Sequence, residues 1–176
     1  VLLYSCSLKG ILLKSLKNNI SKIKDSPEGN IIDIYFPNWC VPYLRLSRVD
    51  RPIGTWLLLL PCWFGILLSF NEKNSSSISF HEVWLIIACA IGAFLMRGAG
   101  CTWNDILDKN YDAKVNRTKK RPIPSGQVTI MAAIIWMFIQ SVLAFLILLT
   151  FNKFSIFIAC LSILLVAIYP LTKRIT

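Results

Sequence analysis

The sequence predicts an all-α protein, a multi-pass bundle of about four transmembrane helices. Two observations lead to this prediction. The 176 residues are 55% hydrophobic, with a mean hydropathy of +0.59, and the apolar residues are concentrated in stretches of about 20, the length that crosses a bilayer as a helix. The 19 lysines and arginines, which outnumber the nine acidic residues, lie almost entirely between those stretches. A soluble domain distributes its apolar residues more evenly.

The four candidate spans share high apolar content and near absence of charge. They are Ile53–Phe70, Val83 to about Cys101, Thr129–Phe151 and Ser155–Leu171. Pro61 and Pro170 lie inside the first and the last of them, which a membrane helix tolerates when its neighbours satisfy the freed carbonyl groups.

Residues 1–41 are interpreted as a separate basic N-terminal arm, and residues 42–176 as the membrane domain. Lysines in the arm alternate with leucines and isoleucines at roughly helical spacing. That pattern is typical of a mitochondrial presequence or its remnant. A basic arm that lies on the membrane surface is the alternative interpretation.

The distribution of positive charge predicts the orientation of the spans. Most lysines and arginines lie before the first span, between the second and third, or after the fourth. By the positive-inside rule these segments face the cytoplasm or the matrix. A soluble protein this basic would suggest a nucleic-acid partner. Here the basic groups flank apolar spans, so we expect membrane lipid or an anionic substrate as partner, and no nucleic acid.

The segment Asn104–Asp112, N-D-I-L-D-K-N-Y-D, is the candidate for chemistry. It places an amide and several carboxylates at the end of the second apolar stretch, where such groups are costly without a partner or a function. On one helix, Asn104, Asp108 and Asp112 recur every four residues and share a face, and Asp105 nearly aligns with Asp112. Hard oxygen ligands suit Mg²⁺. The spacing therefore predicts a Mg²⁺ site on this helix, with Asn104, Asp105, Asp108 and Asp112 as ligands.

A basic loop follows the acidic segment, running from Lys114 to Arg121 and ending in the turn P-I-P-S-G. A charge run is usually a solvated face, but this one directly follows carboxylates. The combination suits a diphosphate, since a cation bridges carboxylate to phosphate and residues such as Arg117 and Arg121 bind the remaining oxygens. At the same membrane surface, Tyr169 and Lys173 lie one helical turn apart. An aromatic-belt tyrosine with a lysine that reaches the interface is the simpler interpretation of that pair.

Three further polar features lie near or inside the spans. Arg45 and Arg48, before the first span, are typical of a surface helix whose long side chains reach the membrane interface, and this interpretation is favoured over an active-site role. Arg97, inside the second span, should face a protein interior or a polar cavity, as a counter-ion or as part of an anion site. The third span is interpreted as scaffold, with Gln140 as its only interior polar group.

The sequence from Gly92 to Gly126, G-A-F-L-M-R-G-A-G-C-T-W-N-D-I-L-D-K-N-Y-D-A-K-V-N-R-T-K-K-R-P-I-P-S-G, closely resembles the first Asp-rich region of the UbiA-type intramembrane prenyltransferases. The stretches R-L-S-R-V-D-R-P-I-G at 45–54 and Y-P-L-T-K-R at 169–174 are similar to further motifs of that family, in the same order. Together the three most resemble the branch that prenylates 4-hydroxybenzoate in ubiquinone biosynthesis.

The resemblance implies a nine-helix membrane bundle whose two Asp-rich motifs bind Mg²⁺ and the diphosphate of a polyprenyl diphosphate. It implies an integral protein of the mitochondrial inner membrane with a matrix-facing site, or of a bacterial-type plasma membrane with a cytoplasm-facing site. The residues that it assigns to the reaction fall into two groups. Asp108, Asp112 and Lys173 are expected to be catalytic, and Arg117, Arg121, Tyr169, Lys173 and Arg174 to bind the diphosphate.

One part of the family pattern has no counterpart, since no acidic residue follows Asp112 and the second Asp-rich motif is therefore missing. We expect the chain to correspond to the N-terminal portion of such an enzyme and to be inactive alone. Two alternatives are a prenyltransferase of the same family with another acceptor, and a non-catalytic membrane protein whose charged groups line a cation path or form structural ion pairs.

Overall fold

The computed structural model of the protein describes residues 31–72 and 79–172. Within these ranges all regular structure is helical and no strand occurs, which confirms the predicted fold class. In these ranges seven helices follow one another. They are α1 (Ile31–Tyr35), α2 (Val41–Leu46), α3 (Ile53–Glu72), α4 (Phe80–Leu107), α5 (Lys109–Asp112), α6 (Ile130–Leu148) and α7 (Lys153–Thr172).

Three of the helices, α3, α4 and α6, are long and apolar enough to cross a membrane. They correspond to the first three predicted spans, so the prediction of a multi-pass membrane protein is confirmed. The fourth predicted span is helical as α7, but its apolar part, Lys153–Ile168, is shorter than the others among the described residues. The predicted N-terminal arm lies mostly outside the described residues.

Helix α4 is the centre of the bundle, with α6 and α3 packed against it. Small residues make the close approach possible, and Ala88, Gly98 and Ala99 of α4 are buried. At Gly54 of α3, a Cβ atom would collide with the guanidinium of Arg97. The side chain of Arg97 therefore lies against the α3 backbone, as expected for an arginine that faces a protein interior.

The two ends of α4 are set by polar residues that a hydropathy profile does not register. Ser79 and Glu82 form a capping box, in which Glu82 Oε2 accepts a hydrogen bond of 2.8 Å from the Ser79 N–H. This motif satisfies N–H groups that have no partner within the helix. At the other end α4 continues to Leu107. At 1.5 Å per residue, the 28-residue helix is about 42 Å long and exceeds the hydrocarbon core of about 30 Å.

A small apolar core lies beside the C-terminal end of α4. Leu46, Ile123, Val128 and Ala133 are its buried members, and they come from α2, the loop 113–129 and α6. The loop turns at Gly126, whose φ of +76° is the left-handed conformation that favours glycine. The core therefore holds the basic loop against the helix ends, next to the acidic segment.

Candidate active site at the end of helix α4

Asp105, in the last turn of α4, is the most enclosed carboxylate of the acidic segment, with 3% of the residue exposed. Arg48 Nη2 donates to both of its oxygens, at 3.0 Å to Oδ1 and 3.3 Å to Oδ2. Arg121 Nη1 donates to the same Oδ1 at 3.3 Å. A buried carboxylate requires such charged partners.

Arg121 also binds the second buried carboxylate of the segment. Its Nη1 donates to Asp112 Oδ2 at 2.7 Å, so one guanidinium bridges Asp105 and Asp112. The loop is held beside these groups by Thr118, whose buried hydroxyl donates to the Asp112 carbonyl oxygen at 2.9 Å. We call Arg48, Asp105, Asp112 and Arg121 the ion network.

Arg48 enters the ion network from an unusual backbone conformation, with a φ of +56°. It follows the C-cap residue Ser47 of α2. The Val49 N–H donates to the Leu44 carbonyl oxygen and the Arg48 N–H to that of Arg45, both at 3.1 Å. These two bonds form a Schellman motif, in which glycine usually occupies the left-handed position. An arginine there carries strain of about 1–2 kcal/mol, which points to a requirement for its side chain.

The charge of Arg48 is secured by its partner. Burial by itself would lower the pKa of the guanidinium, but the Asp105 carboxylate outweighs that effect and the pKa lies above its ordinary value. Arg48 therefore takes part in the ion network rather than reaching to the membrane interface, and the interpretation favoured from the sequence is wrong for this residue.

The acidic segment is not the single helix that the spacing predicts. Helix α4 ends at Leu107, and α5 begins at Lys109, with Asp108 between them at φ −85° and ψ 4°. The Asp112 N–H still donates to the Asp108 carbonyl oxygen, at 2.8 Å, so the interruption is local. One guanidinium links Asp105 and Asp112, the two carboxylates that the sequence places nearly in line.

The oxygen atoms of this segment suit a hard cation, although they form no large cluster. Across residues 31–72 and 79–172, no group of three or more His, Cys, Asp or Glu side chains could hold a metal ion. Asn104 Oδ1, however, is buried without a hydrogen-bond partner. Because Mg²⁺ keeps several waters and binds one or two carboxylates plus substrate phosphates, Asn104, Asp108 and Asp112 could contribute to such a site. Asp105, with both oxygens bonded to arginine, is the poorest candidate.

The predicted diphosphate-binding residues divide into three cases. Arg121 is in the ion network, with 18% of its side chain exposed. Arg117 is exposed on the same loop. Tyr169 belongs to α7, but its side chain, like the residues Lys173 and Arg174, lies outside the described part of the protein.

An apolar cavity of about 260 Å³ lies next to Arg48. Its walls include Trp56 and Leu59 of α3 and Phe94 of α4. This volume is near the lower end of small-molecule sites and suits a single ring more than an extended ligand. No pattern in the sequence indicates this cavity, because its walls come from segments about 40 residues apart.

Two residues that bear on the site were missed because they are neutral. Ser47 is buried, and its hydroxyl accepts hydrogen bonds from Trp136 and Gln140 of α6. In the sequence, Gln140 stands out only as an isolated polar residue of a span that is interpreted as scaffold, and nothing indicates its partner. Neither partner could be found from spacing, since α6 lies some 90 residues after Ser47.

Comparison with known proteins identifies one family. The profile of the UbiA prenyltransferase family matches residues 58–176. The chain is 44% identical over 161 residues to a protein of Aedes aegypti named 4-hydroxybenzoate polyprenyltransferase, mitochondrial, covering 90% of the chain and 34% of that protein. Proteins of the same name are similar in Arabidopsis thaliana, with 44% identity over 149 residues, and in Homo sapiens, with 45% over 135.

The chain spans about a third of the length of these curated relatives. The matches cover 85% of the chain and 35% of the plant protein, and 77% of the chain and 35% of the human protein. No solved structure matches the chain.

Proposed function

Because the chain belongs to the UbiA prenyltransferase family, we propose that it forms the diphosphate-binding part of an enzyme that transfers a polyprenyl group to 4-hydroxybenzoate. The donor is a polyprenyl diphosphate, and the site lies in the mitochondrial inner membrane and faces the matrix. The observation that carries the proposal is the convergence of the acidic segment with Arg48 and Arg121 at one end of α4.

The arrangement of the charges suits a diphosphate donor. Arg48 and Arg121 offset the two buried carboxylates, so the site does not repel an anion as strongly as the three acidic residues of the segment would suggest. Arg117, exposed on the same loop, offers a guanidinium for phosphate oxygens. Tyr169, Lys173 and Arg174 follow along the chain and complete the proposed set of diphosphate ligands.

The reaction replaces a ring hydrogen of the acceptor by the prenyl group. The allylic C–O bond of the donor breaks, and both of its electrons leave with pyrophosphate. The carbocation forms a C–C bond with the ring carbon next to the phenol hydroxyl, and that carbon then loses its proton. Basic residues that bind the diphosphate stabilise the charge that develops on the leaving oxygens, and apolar walls keep water from the cation.

Family members generally depend on a divalent metal, and we propose that the metal here is Mg²⁺. The residues that would hold it are Asn104, Asp108 and Asp112, with Asp105 supporting them through the two arginines. When bound, Mg²⁺ would supply positive charge to the diphosphate oxygens.

The acceptor has a plausible place beside the ion network. The cavity next to Arg48 is apolar and of the size of one ring, and Trp56 and Phe94 give it aromatic walls. We propose that the ring of 4-hydroxybenzoate occupies this cavity during the transfer. A family member with a different acceptor would need other side chains at these positions.

Donor binding is the first test, because it does not depend on turnover. The membrane-embedded protein is titrated calorimetrically with geranyl diphosphate, with Mg²⁺ or with EDTA. We expect binding only with Mg²⁺, and at least a 10-fold loss of affinity in Asp108→Ala and in Asp112→Ala, since each removes a charged contact worth about 1.5–3 kcal/mol. Asp50→Ala, which removes a carboxylate outside the ion network, should bind normally.

Transfer to the acceptor is the second test. Because the chain alone is expected to be inactive, the full-length protein is incubated with 4-hydroxybenzoate and with other phenols, and prenylated product is separated chromatographically. Near-normal turnover in Asp108→Ala and Asp112→Ala would refute the site, and a preference for another phenol would refute the acceptor. Transport of Mg²⁺ without any diphosphate binding would favour the non-catalytic alternative.

A further inference from the structure

Ser47 is a buried hydroxyl on which two side chains of another helix converge. Only 4% of the residue is exposed. Trp136 Nε1 and Gln140 Nε2, one helical turn apart on α6, each donate to its Oγ at 2.9 Å. A hydroxyl oxygen has two acceptor positions, and both are used here by the same helix.

The backbone of α4 leaves room for this contact. Gly98 faces Gln140, and a Cβ atom at Gly98 would lie 2.6 Å from Gln140 Nε2. The amide therefore reaches Ser47 only because residue 98 has no side chain. The rings of Tyr43 and Trp136, with centroids 5.5 Å apart, add a second contact between α2 and α6.

Ser47 directly precedes the residue that enters the ion network. It is the C-cap of α2, and Arg48 follows in the left-handed conformation. Because the backbone turn fixes the direction of the Arg48 side chain, a shift of Ser47 changes where the guanidinium meets Asp105. A change in the position of α6 therefore alters the salt bridge between Arg48 and Asp105, because α6 contacts Ser47 through its hydroxyl.

We propose that Ser47 is a positioning residue for the active site, and that Trp136 and Gln140 act through it to hold Arg48 against Asp105. Its effect on donor binding rests on the proposed function. Its effect on Arg48 rests only on the contacts described above. A residue with a merely structural role would stabilise the bundle without affecting the geometry of Arg48.

The test compares Ser47→Ala with Ser47→Thr, which retains a hydroxyl, and with Ser141→Ala as matched control. Ser141 lies on α6 and is half-buried, but its hydroxyl donates to the Met137 carbonyl oxygen within the same helix. The first measurement is hydrogen exchange of the backbone amides of residues 48–51, together with the indole N–H resonance of Trp136. We expect Ser47→Ala to raise the exchange rate about 10-fold and to shift the resonance, and the other two variants to leave both near wild type.

The second measurement is Mg²⁺-dependent binding of geranyl diphosphate in a double-mutant cycle. Ser47→Ala should weaken binding about 10-fold in the wild-type background and less than about 2-fold in an Arg48→Ala background, because coupled residues are not additive. Equal weakening in both backgrounds would overturn the proposal, as would unchanged exchange at residues 48–51.

The two proposals fail in different ways. If the wild-type protein does not bind the diphosphate, the proposed function is refuted, and the exchange and resonance data alone decide the role of Ser47. If Ser47→Ala does not fold, Trp136→Phe and Gln140→Met remove the donors one at a time. Each should then raise exchange at residues 48–51, and failure of both to do so would overturn the positioning role.

Discussion

Replacing Asp105 by Asn tests whether charge holds the ion network together. The substitution keeps the size of the side chain but removes the negative charge that Arg48 and Arg121 share. It also places an amide N–H₂ group, a hydrogen-bond donor, next to the two guanidinium groups. Because these groups are donors themselves, they cannot accept a hydrogen bond from the amide. We expect the end of α4 to lose the contact with α2 and the loop, and the protein to be markedly less stable.

The magnitude follows from the burial of the three side chains. Removing one partner of a buried ion pair costs about 3–5 kcal/mol. The Asp105 side chain is 4% exposed, but those of Arg48 and Arg121 are each 18% exposed and regain some hydration. We therefore expect the low end, about 3 kcal/mol of unfolding free energy. This corresponds to roughly a 100-fold change in the ratio of folded to unfolded protein.

The assay is reversible unfolding in mixed detergent micelles, followed by circular dichroism at neutral pH. Asp50→Asn is the comparison variant, because Asp50 lies outside the ion network and contacts Arg51 at 3.6 Å, where the Asp50 side chain is 7% exposed and that of Arg51 41%. Because one member of this pair is largely exposed, we expect its loss to cost less than loss of the ion network, about 1 kcal/mol. If Asp105→Asn were within about 0.5 kcal/mol of wild type, the range of ordinary surface substitutions, or equal to the control, the ion network would not depend on charge.

Three further substitutions test the local geometry in the same unfolding assay. Gly98→Ala should cost about 1–3 kcal/mol by overpacking, because its methyl group displaces the amide of Gln140. Gly100→Ala, with nothing within 4 Å, should instead stabilise by about 0.5–1 kcal/mol, because alanine favours a helix interior; equal effects would contradict the contact. Arg48→Gly should be more stable than Arg48→Ala by about 1 kcal/mol, since both lose the salt bridge but only glycine suits the left-handed backbone. If Arg48→Ala were the more stable variant, the backbone at residue 48 would not be strained. Thr118→Val should cost about 1 kcal/mol and speed amide exchange in the loop, and an unchanged exchange rate would show that its hydroxyl does not hold the loop.

Local patterns in the sequence predicted those parts of the molecule that depend on neighbours along the chain. The apolar stretches predicted α3, α4 and α6, because a bilayer span is a run of consecutive residues. The apolar pattern predicts that the second span begins at Val83, whereas α4 begins three residues earlier, at Phe80. Hydropathy does not register the capping box that begins the helix, although Ser79 and Glu82 are visible in the sequence.

The candidate site was predictable only where its members are close in the chain. Asp105, Asp112 and Arg121 lie within 16 residues of one another, so the acidic segment and its loop could be recognised together. Arg48 is 57 residues from Asp105, and no spacing rule connects them. The sequence also favoured one uninterrupted helix through Asp108, since periodicity does not show where hydrogen bonding changes at a helix end.

The length of α4 makes the thickness of the surrounding lipid a variable for the site. The helix is about 12 Å longer than a typical hydrocarbon core, so it either extends beyond the core or tilts within it. Lipids with longer acyl chains cover more of a helix, and the helix responds by changing its tilt. Where the end of α4 that carries Asp105 extends beyond the core, acyl chain length would set how much water reaches the guanidinium groups of Arg48 and Arg121. Membranes of different thickness would thus tune the strength of the same salt bridges without any change in sequence.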